Sequence, residues 1–264
     1  MLPRSESTYR ARMINGAKYF TSRQAFGDLT IVVQRFPGPV VDGPSFVLVP
    51  GIGVSSRYFA PAAAELAKRG TVYLVDLPGY GAAPDPKREV TIVDHANVLA
   101  KFLTAAQLDH PVLVGHSWGS QVVSRLAVDH PGVVDHLVLM APTLVPGART
   151  FWRSIRLLLV DGFREPLRVN LIAAGDYLFR CGIPYGMRQM PYLLEDRIED
   201  RLPAITAKTL VLRGDRDPIV EEPWAREVTS LVPGADYATV AGAHVVMYTD
   251  PVGVAKHISD HAEP

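Results

Sequence analysis

Cysteine is almost missing from this sequence. Cys181 stands alone, which excludes an intrachain disulfide and leaves no cysteine spacing for a metal site. Net charge is missing as well, because 27 Lys and Arg are matched by 27 Asp and Glu. With no long-range field, neither a nucleic acid nor a membrane is the expected partner. Long apolar runs are absent, and none approaches the roughly 20 residues of a membrane-spanning helix. The first dozen residues are polar and Arg-rich, without the apolar stretch of a secretory signal. A cytoplasmic protein is the resulting expectation. No metal or organic cofactor is indicated, and nothing in the pattern reports an oligomeric state.

The chain is otherwise well supplied with apolar residues, which make up 48% of 264. That suffices for a substantial core in one large domain. Residues 46–49, 72–75, 112–114, 137–140 and 210–212 are continuous apolar runs, the pattern of strands covered on both faces. Helical spacing separates them. Residues 61–69 open on Pro61 and close before Gly70, residues 92–106 carry a stripe through Ala96, Leu99 and Leu103, and residues 118–130 end at Pro131-Gly132. Alternating strands and helices predict an α/β fold with a mostly parallel twisted sheet and helices on both faces. Residues 17–21 and 29–36 are expected as leading strands joined by a short connection.

This rhythm stops after Ala141-Pro142. Residues 143–203 give no convincing strand and are rich in Arg, Leu and aromatics, with helices expected over 152–160 and 169–179. The span is too long for one crossover. It is expected to be an inserted helical lid over a core made of residues 1–142 and 204–264.

Gly115-His116-Ser117-Trp118-Gly119 follows the strand at 112–114 and precedes the helix at 118–130. G-x-S-x-G in a strand–turn–helix setting presents a serine on a sharp turn, where the glycines leave room that a Cβ would fill. The helix behind it aims its N–H groups at the site, favouring a developing oxyanion. Ser117 is therefore the candidate nucleophile, and it needs a base. Of eight histidines, His244 follows the expected last strand at 237–240. It should reach the same carboxyl-end edge of the sheet as Ser117. His116, beside the serine, is expected to point away and serve the structure. The base needs an orienting carboxylate. Residues 210–218 run from a strand into Gly214-Asp215-Arg216-Asp217-Pro218, where both Asp215 and Asp217 are available. Backbone N–H groups of Ile52, in the turn after residues 46–49, and of Trp118 are the candidate oxyanion donors.

These segments together resemble the α/β-hydrolase fold family over nearly the whole chain. The elbow at 115–119, the turn Asp76-Leu77-Pro78-Gly79-Tyr80-Gly81 and Gly242-Ala243-His244 match its motifs. In the family's acid loop the aspartate three residues after the glycine completes a Ser-Asp-His triad, which implies Asp217. The insertion after Pro142 falls where the family carries its lid. Pro50-Gly51 stands where members often have His-Gly. Dehalogenases and epoxide hydrolases of the family use an aspartate nucleophile, and Ser117 argues against both. The elbow is also similar to that of proline iminopeptidases, whose glycine- and proline-rich oxyanion loop residues 50–54 do not reproduce.

The expected activity is a carboxylesterase-like serine hydrolase acting through an acyl-enzyme on a small, fairly apolar ester. Alternatives are hydrolysis of a carbon–carbon bond next to a ketone, an iminopeptidase-like amidase, or a ligand-binding member without turnover. Trp118, Phe151, Trp152 and Tyr177 are candidate substrate contacts. The lid carboxylates Glu195, Asp196 and Glu199 could meet a substrate amine, though a solvated helix face explains them more simply.

Overall fold

The computed structural model describes residues 6–39 and 43–263. One mixed sheet organises them. Its strands are β1 (Glu6–Ile14), β2 (Ala17–Phe26), β3 (Leu29–Phe36), β4 (Ser45–Val49), β5 (Thr71–Asp76), β6 (Val112–His116), β7 (His136–Met140), β8 (Lys208–Gly214) and β9 (Asp236–Val240). Their spatial order is β1-β2-β3-β5-β4-β6-β7-β8-β9. The antiparallel pairs are β1–β2, β2–β3 and β3–β5, and every pair from β5 through β4 to β9 is parallel. The polar, Arg-rich opening stretch contributes to β1 from Glu6 onward, while residues 1–5 lie outside the described residues. Asn15 and Gly16, both at positive φ, close the β1–β2 hairpin, the backbone that a tight right-twisted turn demands.

The central strands are apolar on both faces because helices cover both. In β4, Phe46 and Leu48 join one core cluster while Val47 and Val49 join the other, as the two-residue period of a strand requires. Helices α2 (Ile92–Ala105) and α3 (Trp118–Asp129) supply Leu99, Leu103, Val122 and Leu126 to the second cluster. Helix α8 (Glu222–Leu231) adds Trp224 and Val228 there. On the opposite face, α1 (Ala60–Leu66), the short α9 (Val246–Thr249) and α10 (Pro251–His261) bring Leu66, Met247 and Ile258. Thr91 and Asp94 cap α2 reciprocally, Asp94 N–H donating to Thr91 Oγ1 at 3.2 Å and Thr91 N–H to Asp94 Oδ2 at 2.9 Å. That capping box starts the helix where the apolar stripe begins.

From β4 the chain moves outward to β5, then returns across β4 to β6. The loops leaving β4 and β6 therefore diverge, opening a crevice at the carboxyl ends of these two strands, the usual ligand position in such sheets.

Between β7 and β8, residues 146–204 hold α4 (Phe151–Arg164), α5 (Leu167–Phe179), α6 (Ile183–Glu195) and the short α7 (Ile198–Arg201), with no strand among the described residues. Polar contacts pin these helices to the core. Asp176 of α5 is fully buried and accepts from Ser55 N at 2.9 Å, Ser55 Oγ at 2.6 Å and Arg57 Nη2 at 2.8 Å. Tyr177 donates to Ile52 O at 2.9 Å, and Tyr185 of α6 to Pro78 O at 2.9 Å. Glu199 receives a two-pronged bond from Arg149, at 2.8 and 2.6 Å. Asp196 likewise pairs with Arg201, at 2.8 and 2.7 Å. The two carboxylates are thus spent on the architecture, and Glu195 is exposed.

Candidate active site

Ser117 sits between the end of β6 and the start of α3 with φ 54° and ψ −119°. A non-glycine residue at such a φ is held there by its surroundings. Its N–H donates to Met140 O on β7 at 2.9 Å, and Ser120 Oγ donates to Gly115 O at 2.7 Å. Both flanking glycines are sterically required. A Cβ on Gly115 would lie 2.5 Å from Gly119 O, and one on Gly119 would lie 2.5 Å from Val49 O. The turn can be this sharp only because helix and strands touch backbone to backbone. The loop after β4 also closes on the serine, since a Cβ on Gly51 would fall 3.4 Å from Ser117 Cβ. Among the described residues no other group engages the N–H of Ile52 or of Trp118. Trp118 opens a helix, whose first N–H groups have no partner within it.

The loops after β8 and β9 lock together. Asp217 Oδ2 lies 2.9 Å from His244 Nδ1, while its Oδ1 accepts from Ile219 N at 2.8 Å and Val220 N at 3.0 Å. Three bonds thus fix a carboxylate that is almost fully buried. Asp215 has another task, accepting from Gly242 N at 2.9 Å to tie the two loops. Arg213, also buried, steadies the same loop by donating to Val220 O at 2.9 Å.

His116 turns inward. Its Nε2 is 3.1 Å from His244 O, so this nitrogen must donate. Nδ1 then accepts from the Tyr58 hydroxyl at 2.8 Å, and that hydroxyl accepts from Gly51 N at 2.8 Å. Burial, with His244 nearby, holds the His116 pKa well below the usual histidine value. A neutral ring therefore links the loop after β4 to the loop carrying His244. Its inward aim depends on Tyr58, a partner 58 positions away, which no local pattern reveals.

Two carboxylates of α4 and its cap reach the same loop from above. Asp161 Oδ1 accepts from His244 N at 3.2 Å and Glu165 Oε1 from Val245 N at 2.7 Å. Burial pushes the pKa of both upward. At His244, burial acts to lower the pKa. The attraction of Asp217, then of Asp161 and Glu165, overcomes it, and the net value rises to about 9.

A cavity of about 250 Å³ brings these parts together, with Ser117, His244, His116, Ile52, Asp161 and Glu165 among its lining. Its remaining wall is mostly apolar, including Leu158, Val169, Ile172 and Ala173 from the inner sides of α4 and α5. Among the described residues the Ser117 hydroxyl makes no hydrogen bond to the His244 ring, although both face this cavity. Among the described residues no group of three or more His, Cys, Asp or Glu is placed to hold a metal ion.

A family model described as the alpha/beta hydrolase fold matches residues 44–174. The sheet order and the serine on its turn agree with it. This chain has the α/β-hydrolase fold. Solved α/β-hydrolase structures agree over almost their whole length. A hydrolase from Pseudomonas aeruginosa superposes with TM-score 0.77 at 17% identity, covering 92% of this chain and 98% of its own. The enol-lactonase of Burkholderia xenovorans gives 0.76 at 18% identity, covering 91% and 99%. In sequence, a protein of Escherichia coli O157:H7 provisionally named the carbamate hydrolase RutD is 37% identical over 115 residues, which is 43% of each chain. The matches thus span less than half of such curated relatives.

Within this α/β-hydrolase frame the expected substrate contacts separate. Tyr177 lines the cavity. The Trp118 ring is fully buried behind the turn, 4.9 Å from Tyr80 and 5.0 Å from His95 between ring centres. Being first in α3 aims it into the core instead. Trp152 is 80% exposed and packs its edge on Phe151, and neither is among the cavity-lining residues. Asp161 and Glu165 were hidden from sequence reading, because helical spacing says which residues share a face but not which loop that face covers.

Proposed function

We propose that this α/β-hydrolase-fold protein is a serine hydrolase cleaving a small, fairly apolar carboxylic ester through an acyl-enzyme. The observation that carries the reading is that His244, bonded to Asp217 behind it, lines one cavity with a serine held at positive φ. In this mechanism neutral His244 takes the Ser117 proton through Nε2 as Oγ attacks the acyl carbon. The N–H groups of Ile52 and Trp118 receive the charge that develops on the carbonyl oxygen, each such donor contributing about 3 kcal/mol. His244 returns its proton to the departing alkoxide, giving the alcohol. Water, deprotonated by His244, then releases the acid and regenerates Ser117. Asp217 keeps Nδ1 protonated throughout and stabilises the imidazolium. The helical insertion acts as a lid whose apolar inner side holds the acyl group.

The test compares hydrolysis of a short and a medium-chain nitrophenyl ester by the wild type and by Ser117→Ala. The expected outcome is turnover by the wild type that drops to the uncatalysed background in the variant. Equal turnover by both proteins would remove Ser117 from the chemistry.

A further inference from the structure

We propose that the outer face of α4, α5 and α6 is a docking surface for an anionic lipid bilayer. The first observation is where apolar surface lies. Of thirteen large hydrophobic side chains exposed among the described residues, ten fall between positions 152 and 187. Isolated exposure of this kind is ordinary, but concentration on one element marks an interface. The exposure also has helical order. Trp152, Arg156, Leu159 and Phe163 stand on one line of α4 at spacings of four, three and four, all facing solvent. Leu167, Leu171, Ala174 and Leu178 repeat that line on α5. Phe163 is 92% exposed and Phe179 85%, far beyond what a water-facing helix surface requires.

The second observation is charge, and it selects the occupant. Arg153, Arg156, Arg164, Arg168, Arg180 and Arg188 are all exposed. The three acids between positions 146 and 190, Asp161, Glu165 and Asp176, are all buried. Between positions 146 and 190 the outward surface of α4, α5 and the first two turns of α6 is therefore apolar and cationic with no exposed acid, and Glu195, the last residue of α6, is the exposed acid at its far end. Aromatic and aliphatic side chains enter the boundary between headgroups and acyl chains while guanidinium groups meet lipid phosphates. A second copy placed face to face by a twofold axis would set arginines against arginines. A nucleic acid would offer phosphates but no apolar phase for Trp152 and Phe163.

The same helices present Leu158, Val169 and Ile172 to the cavity beneath. Docking would thus place the bilayer and the Ser117 cavity on opposite sides of two helices. A role in delivering an amphiphilic ester rests on the hydrolase reading, whereas docking itself does not.

Tryptophan fluorescence gives a direct readout, since Trp118 and Trp224 are buried and Trp152 is not. The full-length protein is titrated with phosphatidylglycerol–phosphatidylcholine vesicles and with phosphatidylcholine vesicles, at low and high salt, and also co-sedimented with them. The expected result is a blue shift with partitioning roughly tenfold stronger onto the anionic vesicles, reversed by salt. Trp152→Ser with Phe163→Ser, both changes on exposed positions, should weaken partitioning roughly tenfold, and Arg156→Gln with Arg168→Gln should flatten the salt dependence. Absence of vesicle binding overturns the proposal, as does binding that survives both double variants. Sedimentation equilibrium showing a dimer that Trp152→Ser with Phe163→Ser dissolves would assign the face to a second copy and also overturn it. None of these readouts needs turnover, so failure of the ester assay leaves the outcome legible.

Discussion

His244 lies within reach of three carboxylates, and its protonation controls the chemistry proposed for it. Asp217 bonds the ring, Asp161 accepts from the His244 backbone N–H, and Glu165 from that of the next residue, Val245. With its pKa raised to about 9, the ring is mostly imidazolium at neutral pH and cannot accept the serine proton. The rate constant kcat/KM should therefore climb about tenfold per pH unit from neutrality and level off near pH 9. A pH–rate profile that levels off already near 6.5 would show that the carboxylates do not act on the ring. The stability linkage has the opposite slope. A histidine whose folded pKa exceeds its unfolded value stabilises the fold fully below the unfolded value. That contribution is lost as pH rises through about 9, so urea midpoints should fall from pH 7 to pH 10. The two aspartates of one loop differ in kind. Asp217→Asn keeps the shape but loses the negative charge and favours the wrong tautomer, at a cost of about 10⁴ in kcat. Asp215→Asn retains an oxygen for Gly242 N–H and should cost far less. Equal losses in the two variants, measured on one ester, would undo this division of labour. From local sequence physics the two residues were alike, and resemblance chose between them. The deciding feature is a bond across 27 positions.

At the scale of elements, the legible parts are those whose pattern is set by burial on both sides. β4, β6, β7 and β8 announce themselves because every residue after the first is buried in β4, β7 and β8, and every residue is buried in β6. β1 was not read, because an edge strand paired on one side only needs no apolar run. α6 was missed for a different reason: it contains Pro184, Gly186 and Pro191, residues that weaken a helical signal. It persists because Tyr185 and Gln189 are bonded to the core, at 2.9 and 3.1 Å. Tyr185 and Leu193 of α6 and Ile198 of α7 join the core cluster beneath the sheet, whereas α5 is tied down largely by polar contacts. Asp176 is the strongest, since burial leaves its charge dependent on Ser55 and Arg57. Asp176→Ala leaves the Ser55 donors without an acceptor and should cost about 3 kcal/mol. Arg57→Ala, removing a half-exposed partner, should cost less than Asp176→Ala. Thermal midpoints of the two variants check the order, and equal shifts would mean that Asp176 does not anchor α5.

Over the whole molecule, a formal charge of zero conceals two different regions. Residues 146–190 carry seven arginines and three acids, so the rest of the chain holds the excess of acids. Composition alone cannot show this, because the segregation appears only once the three acids are known to be buried. No helix among the described residues is long and apolar enough to cross a membrane, yet the apolar side chains the core does not use gather on α4 to α6. The same partition implies unequal local stability. Strands β4, β6 and β7 are enclosed by helices on both sides, whereas α4 and α5 face the cavity on one side and solvent on the other. Elements with few buried apolar contacts open at lower free energy than the global transition. Native-state hydrogen exchange should therefore show the amides of α4 and α5 exchanging about 100-fold faster than those of β6, a gap of about 3 kcal/mol in opening free energy. Asp176→Ala should widen the gap by speeding exchange in the helices alone, because the bonds it removes join the insertion to the core. If the helices and β6 exchange at one rate, and the variant speeds both equally, then insertion and sheet form a single cooperative unit. The cavity between them would in that case open only when the whole chain unfolds.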